Sequence, residues 1–298
     1  MSNLHLLWKF RTIDHVVTAK KEESKKSASA KQSTLKSVFI EDFYSAAMRH
    51  DVKLEIILPP WYDETPQHDF PVLFLNDGQS LAKLKMKDAL MQAYLTHAIP
   101  PLLVVGIHAH NRMQEYGVSG VPDFKKRGAK AEKYSRFVIH ELLPLIRKNF
   151  RVKTDAASNA FAGFSLGGLS AFDIAWNYPH IFGKAGAFSG SFWWRNKGYD
   201  QGYDNSYDRI MHKMVRGTDS KSNQRFWFQC GTEDELADRN NNGIIDAIED
   251  TLDLIHELEE LGFEKNKDVV YFEVEGGKHD EETWSKAMPE FLKWTFGV

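Results

Sequence analysis

The chain has 298 residues, 42% of them hydrophobic and 27% charged, with a net charge of −3. That length fits one large globular domain or two small ones with a substantial core, and the slight acidity excludes the basic excess of a nucleic-acid binder. The single cysteine, Cys230, excludes an intrachain disulfide; within Phe226-Trp227-Phe228-Gln229-Cys230 it reads as a buried small hydrophobe.

At the N-terminus, the apolar stretch in Met1-Ser2-Asn3-Leu4-His5-Leu6-Leu7-Trp8-Lys9-Phe10 is too short and interrupted for a signal peptide. No later run reaches the length of a membrane span. A soluble, cytoplasmic protein without a membrane partner is expected. Residues 19–37 are rich in Lys, Ser, Glu and Ala and read as a solvated, flexible segment. They set off a partly flexible extension, residues 1–37, from a main domain over residues 38–298. No internal repeat is present.

In the main domain apolar runs alternate with helical patterns. Strands are expected at residues 52–58, ending at Pro59-Pro60, and at Val72-Leu73-Phe74-Leu75, followed by Asn76-Asp77-Gly78. Another is expected at residues 102–107. A helix is expected at residues 134–149, where Phe137, Ile139, Leu142, Leu143 and Ile146 recur at helical spacing. Ala160-Phe161-Ala162-Gly163 leads into a small-residue turn and a helix-compatible run at residues 169–176. Residues 184–188, 225–230 and 269–274 read as three more strands, and residues 251–261 and 283–296 as helices. Strands alternating with helices mean βα units. Continuous apolar strands fit a mostly parallel central sheet with helices on both faces, an α/β fold.

Gly163-Phe164-Ser165-Leu166-Gly167-Gly168 matches G-x-S-x-G. That chemistry puts a serine on a strained strand-to-helix turn, where flanking glycines keep side chains from colliding. The bare pattern also describes a turn without chemistry, so partners must decide. A serine hydroxyl needs a base, and the base an orienting acid; in α/β-hydrolases they follow in the order Ser, acid, His. Residues 225–230 run into Gly231-Thr232-Glu233-Asp234-Glu235, and residues 269–274 into Glu275-Gly276-Gly277-Lys278-His279-Asp280. Both stretches lie at carboxyl ends of strands, where open α/β sheets build their sites. Asp234 is assigned as the orienting acid and His279 as the general base, with Glu233, Glu235 and Asp238 as alternatives for the acid. The oxyanion hole is assigned to the N–H of Leu166 and that of Gln79, within Leu75-Asn76-Asp77-Gly78-Gln79-Ser80. Asp-Gly is equally an ordinary turn signal.

Residues 238–249, Asp238-Arg239-Asn240-Asn241-Asn242-Gly243-Ile244-Ile245-Asp246-Ala247-Ile248-Glu249, match the EF-hand loop at every specified position. Asp238, Asn240, Asn242, Asp246 and Glu249 offer side-chain oxygens, Ile244 a carbonyl, and Gly243 the sharp turn. A structural Ca²⁺ is expected, stiffening the loop beside Asp234; catalysis needs no cofactor. Without an ion, Asp246 and Glu249 are helix N-terminal charges. Trp193 and Trp194 either line an acyl pocket or pack in the core. Arg112 either binds an anionic part of a substrate or makes a surface salt bridge. His108 and His110 lack an evident third metal ligand, and Lys125-Lys126-Arg127 reads as a solvated face.

Taken together, these residues resemble the Putative esterase family of α/β-hydrolases over about residues 41–298. The family includes enterochelin esterases, feruloyl and related polysaccharide esterases, S-formylglutathione hydrolases and mycolyltransferases. Glu41-Asp42-Phe43-Tyr44-Ser45 and Leu58-Pro59-Pro60-Trp61-Tyr62-Asp63 resemble its opening strand pair. Asp77-Gly78-Gln79, Asn111-Arg112 with Glu115-Tyr116, and Ser189-Gly190-Ser191-Phe192-Trp193-Trp194 resemble stretches of the enterochelin branch. The chain departs from cytoplasmic enterochelin esterases in lacking their long N-terminal domain and in carrying the acidic loop. The resemblance implies hydrolysis of a small-molecule carboxylic ester through an acyl-enzyme on Ser165. A siderophore-type or aryl ester is the first expectation and a feruloyl or acetyl carbohydrate ester the second, with acyl transfer to an alcohol as a variant. A non-catalytic calcium-binding module on the same scaffold is the rival from another class, and the intact Ser165, Asp234 and His279 argue against it. No oligomeric state is read from the sequence.

Overall fold

Strands whose residues are apolar on both faces need cover on both faces, and the chain supplies it. The computed structural model describes residues 10–15 and 35–297. Among these residues a nine-stranded sheet runs in the order β1-β2-β3-β5-β4-β6-β7-β8-β9. The strands are β1 (Phe10–His15), β2 (Leu35–Ser45), β3 (His50–Leu58), β4 (Val72–Asn76), β5 (Leu103–Ile107), β6 (Asn159–Phe164), β7 (Lys184–Phe188), β8 (Arg225–Glu233) and β9 (Val269–Lys278). Pairing is antiparallel from β1 to β5 and parallel from β5 through β9.

The helices are α1 (Met86–Leu95), α2 (Arg112–Glu115), α3 (Ala131–Phe137), α4 (Leu143–Asn149), α5 (Leu166–Asn177), α6 (Asn205–Asp208), α7 (Ile210–Arg216), α8 (Asp246–Glu260) and α9 (Glu281–Phe296). Alternate strand residues divide the core into two layers. Phe74, Phe161 and Phe228 pack with Phe137 of α3, Phe172 of α5 and Leu254 of α8. Leu73, Leu75, Ala160 and Trp227 pack with Leu90 of α1 and Phe291 of α9. The expected α/β architecture with helices on both faces is what the structure has.

Several boundaries differ from expectation for identifiable reasons. The presumed flexible segment ends sooner: Leu35 and Ser37 are buried in β2, and Ser37 Oγ donates to Glu55 Oε1 at 2.6 Å. Residues 10–15 of the presumed extension pair with β2 as an edge strand. The rest of the flexible call, residues 19–34, lies outside the described residues, as do residues 1–9 and 16–18 of the extension. Residues 59–63, expected within the opening strand pair, form a turn after β3. The helix expected at residues 134–149 is interrupted by a π segment, Val138–Leu142. Pro144 follows at the start of α4 and has no N–H for the His140 carbonyl, which breaks the regular ladder where the π segment gives way to α4. The strands β8 and β9 outrun their apolar cores because each supplies the other's ladder past Gly231.

Within α5, Asp173 is buried with no cation beside it. It accepts from the Ser119 N–H at 3.0 Å and from Asn177 Nδ2 at 3.1 Å. Burial pushes its carboxyl up to about 7. A carboxyl raised in the folded state favours folding when protonated, and that contribution disappears as pH climbs from the unfolded value toward 7. The Asp173→Asn variant is therefore expected to match the parent near pH 4 and to exceed it at pH 8 by on the order of 1–3 kcal/mol in urea unfolding. Equal differences at both pH values would contradict this.

Candidate active site

The turn between β6 and α5 is held open only because glycines surround it. Ser165 has φ 56 and ψ −123, a conformation that costs a non-glycine residue about 1–3 kcal/mol. A Cβ on Gly163 would stand 2.3 Å from the Gly167 carbonyl oxygen, and one on Gly167 would meet Asp77 Oδ2 at 2.8 Å. The strain is braced by the main chain. Ser165 N–H donates to the Phe188 carbonyl at 2.9 Å, and the Ser165 carbonyl accepts from the Gly168, Leu169 and Ser191 N–H groups at 3.0–3.1 Å. Ser165 Oγ lies 3.4 Å from Ser191 Oγ. Leu166 is the first residue of α5, so its N–H has no helical acceptor.

The loop after β4 leans against this turn. Asn76 Nδ2 donates to the Gly167 carbonyl at 2.7 Å, and Tyr134 OH to Asn76 Oδ1 at 2.5 Å. Asp77 is buried at φ 60, with its N–H donating to Tyr116 OH at 3.1 Å. The Gln79 side chain is used locally: Nε2 donates to Asp77 Oδ1 at 2.8 Å and Oε1 accepts from the Ala109 N–H at 3.1 Å. Arg112, at the start of α2, meets Asp77 with two bonds, Nε to Oδ1 at 2.7 Å and Nη2 to Oδ2 at 3.0 Å. Burial raises the Asp77 carboxyl and Arg112 pulls it back.

At the far side, the ends of β8 and β9 approach closely because both carry glycine. A Cβ on Gly231 would sit 2.3 Å from the Gly277 carbonyl oxygen. Asp234 and His279 follow these glycines, and both line one cavity of about 470 Å³ with Ser165, Glu235, Arg127 and Trp193. A second cavity of about 330 Å³ shares Ser165, His279 and Arg112 and adds Gln79. Asp234 is 8% exposed, and both its carboxylate oxygens lack a well-formed hydrogen bond among the described residues. Burial raises its pKa; the nearby Ser189 hydroxyl, the Gly231 amide and the His279 imidazole offset part of the rise. Burial also lowers the His279 pKa, opposed by the charge of Asp234. The imidazole packs edge-on to Trp284 with centroids 5.3 Å apart, and Trp284 Nε1 donates to Ser189 Oγ at 2.9 Å. No hydrogen bond joins His279 to Ser165 or to Asp234 among the described residues.

Among the alternative acids, Glu233 is exposed beside Lys278, and Asp238 is taken up by its own loop. Glu235 lines the larger cavity, its carboxyl raised by burial. Of the tryptophan pair, Trp193 lines the cavity, whereas Trp194 is fully buried with Nε1 donating to the Val121 carbonyl at 3.1 Å. The pocket reading for Trp194 is thereby corrected to core. Arg127, expected on a solvated face with Lys125 and Lys126, instead faces the cavity. It lies 4.5 Å over the Trp193 ring and is ion-paired with buried Asp123. The ion pair spans four positions and is local, but the contact with Trp193 joins residues 66 positions apart, which no local signal reveals. Ser189, Ser191 and Trp284 were also missed as site residues, although the first two lie in the Ser-Gly-Ser stretch.

The acidic loop is wound as its glycine requires, with Gly243 at φ 85. Asp238 accepts from the Asn242 and Gly243 N–H groups at 3.1 and 2.9 Å. The side chains of Asn240 and Asn242 meet Glu249 Oε1 at 2.5 and 2.8 Å. The Asn242 carbonyl oxygen of the side chain accepts from the Ile244 N–H at 2.8 Å. Asp246 turns away, to the Arg239 N–H at 2.9 Å, and opens α8. Among the described residues no group of three or more His, Cys, Asp or Glu is gathered as a metal site. His108 and His110 likewise gather no third ligand, and no helix among the described residues is long and apolar enough to cross a membrane.

Comparison with known proteins matches residues 45–295 to the family described as Putative esterase. An uncharacterized protein, YbbA of Bacillus subtilis (strain 168), is 32% identical over 148 residues, 48% of this chain and 58% of that protein. The Iron(III) enterobactin esterase of Escherichia coli (strain K12) is 27% identical over 155 residues, 52% of this chain and 34% of that protein. The match thus spans well under two thirds of either relative. A solved ferulic acid esterase shares the fold at a TM-score of 0.65 and 17% identity, over 97% of this chain and 98% of that one.

The Gly231–Gly277 approach sets the spacing of Asp234 and His279. Gly231→Ala is expected to part the ends of β8 and β9, lowering the melting temperature by several degrees, equivalent to about 1–3 kcal/mol. An unchanged thermal transition would show that the strands part without cost.

Proposed function

Because the chain belongs to the Putative esterase family, we propose that it is a serine carboxylic ester hydrolase working through an acyl-enzyme on Ser165. The observation that carries this reading is the gathering of a strained Ser165, a buried Asp234 carboxylate without a well-formed hydrogen bond and the His279 imidazole around one cavity. A buried carboxylate is costly unless donors or a cation satisfy it. His279 would supply one ring N–H as that donor, leaving its other nitrogen free to act as base. Catalytic hydrogen bonds often close only around substrate, so the open imidazole is compatible with the role.

In the proposed sequence His279 takes the Ser165 hydroxyl proton as Oγ attacks the ester carbonyl. The tetrahedral oxyanion forms between the N–H groups of Leu166 and Gln79. Asp234 stabilises the imidazolium, which then gives its proton to the leaving alcohol. Water, activated by the same imidazole, releases the acid; an alcohol in its place would make the enzyme a transferase. Trp193 under Arg127 offers a flat wall to the acyl group, which favours an aryl or siderophore-type ester over a small acyl ester of a carbohydrate.

Hydrolysis of p-nitrophenyl acetate or butyrate tests the reading. Ser165→Ala is expected to lower kcat at least about 10⁴-fold. Since burial lowers the His279 pKa and the neutral imidazole is the base, kcat/KM should rise to its plateau with a midpoint below 6.5. Activity surviving Ser165→Ala, or a rising limb above that value, would defeat it.

A structural calcium ion is proposed for residues 238–249. The side chains of Asn240 and Asn242 gather on Glu249 while Asp238 binds the N–H groups of the same turn, and the oxygens of these four residues are hard donors of the kind that suit Ca²⁺. They would hold it with the Ile244 carbonyl, Asp246 acting only through water. Titrating metal-stripped protein with Ca²⁺ should release or absorb heat and raise the melting temperature; neither effect would remove calcium from the account.

A further inference from the structure

Resting on the reading of Ser165 as nucleophile, we infer that Arg112 is a positioning residue that locks the two halves of the oxyanion hole together, rather than a receptor for a charged part of the substrate. The two proposed donors sit on different elements, Leu166 after β6 and Gln79 after β4. The register of β4 with β6 ends at Leu75 and Ala162. Past that point the two loops are joined through side chains, Asn76 Nδ2 to the Gly167 carbonyl and Arg112 to both sides. It comes from the loop after β5, the strand on the other side of β4. Its guanidinium lies across the β4 loop, bound twice to Asp77, and reaches the β6 side, where Nη2 donates to the Phe164 carbonyl at 3.3 Å. Phe164 is the residue before the nucleophile, and Asp77 is two residues before Gln79 and is bonded to its side chain at 2.8 Å.

A substrate anion would need a guanidinium with charge to spare. Here a carboxylate that is only 6% exposed occupies both Nε and Nη2. The planar fork also explains why lysine would not serve. A single ammonium cannot meet both carboxylate oxygens and a carbonyl on the far side in fixed directions. Removing Arg112 would do two kinds of harm. It would free the loops to shift, and it would leave the Asp77 charge uncompensated close to where negative charge develops on the substrate.

The test compares wild type, Arg112→Met, Arg112→Lys and Arg112→Met/Asp77→Asn on p-nitrophenyl butyrate. It also measures the Ki of an alkyl trifluoromethyl ketone, which adds to the serine as a tetrahedral oxyanion. Both Arg112 single variants should lose about 10²-fold in kcat, with KM within about threefold and Ki raised in proportion to the loss. The double variant should regain about tenfold over Arg112→Met, because the unpaired carboxylate is gone. Should Arg112→Met fail to fold, Arg112→Lys carries the same readout. An unchanged Ki, or a loss confined to KM for anionic esters, overturns this inference alone. Activity retained by Ser165→Ala in the same assay overturns the nucleophile reading, and this inference with it.

Discussion

The strained main chain at Ser165 is the constraint that the surrounding structure serves. A non-glycine residue at φ 56 and ψ −123 persists only where its neighbours over-determine it. The bracing comes from four main-chain hydrogen bonds, one to β7 and three onto the Ser165 carbonyl, including one from Ser191 in the loop after β7. The same constraint dictates composition. Glycine at 163 and 167 lets β6 and α5 close to distances that a Cβ would forbid. Because β6 lies between β4 and β7 in the sheet, its turn is buttressed by the loops that follow both neighbours.

Those loops are pinned by charges taken out of water. Asp77 with Arg112 holds the β4 loop, and Asp123 with Arg127 holds the segment behind Trp193. Asp250 with Arg209 and Arg239 holds the acidic loop against α7 and α8. Buried ion pairs add little net stability, since desolvation cancels much of the attraction. Their value lies in direction: a guanidinium bound by two oxygens fixes a loop to within the tolerance that an oxyanion hole requires. Arg239 has a further consequence. It occupies the second position of the calcium-like loop and binds Asp246, Glu249 and Asp250, so the loop keeps its winding through protein charges as well as through any ion.

The fold was legible in the sequence wherever burial alone decides structure. Val72 to Leu75 and residues 102–107 are continuous apolar runs that read as strands and became β4 and β5, while Ala160 to Gly163, read only as the lead into a turn, lies within β6. The order of Ser165, Asp234 and His279 pointed to a common cavity, and the structure brings all three to its wall. What escaped depends on tertiary context. Trp193 and Trp194 are adjacent and chemically identical, yet one faces the cavity and the other the core; the difference comes from the Ser191-centred turn. Arg127 was hidden among lysines. Asp77 read as half of a turn signal because its partner stands 35 positions away.

The arrangement of Asp234 argues for a site that is completed by substrate. Its two oxygens lie out of water without well-formed partners, beside an imidazole whose pKa burial lowers and the Asp234 charge partly restores. In water-filled surroundings such a pair would gain little from meeting. As an ester fills the cavity and excludes solvent, their mutual attraction grows because the local dielectric falls. On the proposed reading, the closing of the imidazole onto the carboxylate would be driven by the same event that brings the carbonyl to Ser165. In the proposed mechanism proton transfer would thereby be coupled to occupancy, while the strained Ser165 turn and the Arg112–Asp77 pair are already formed in the empty site.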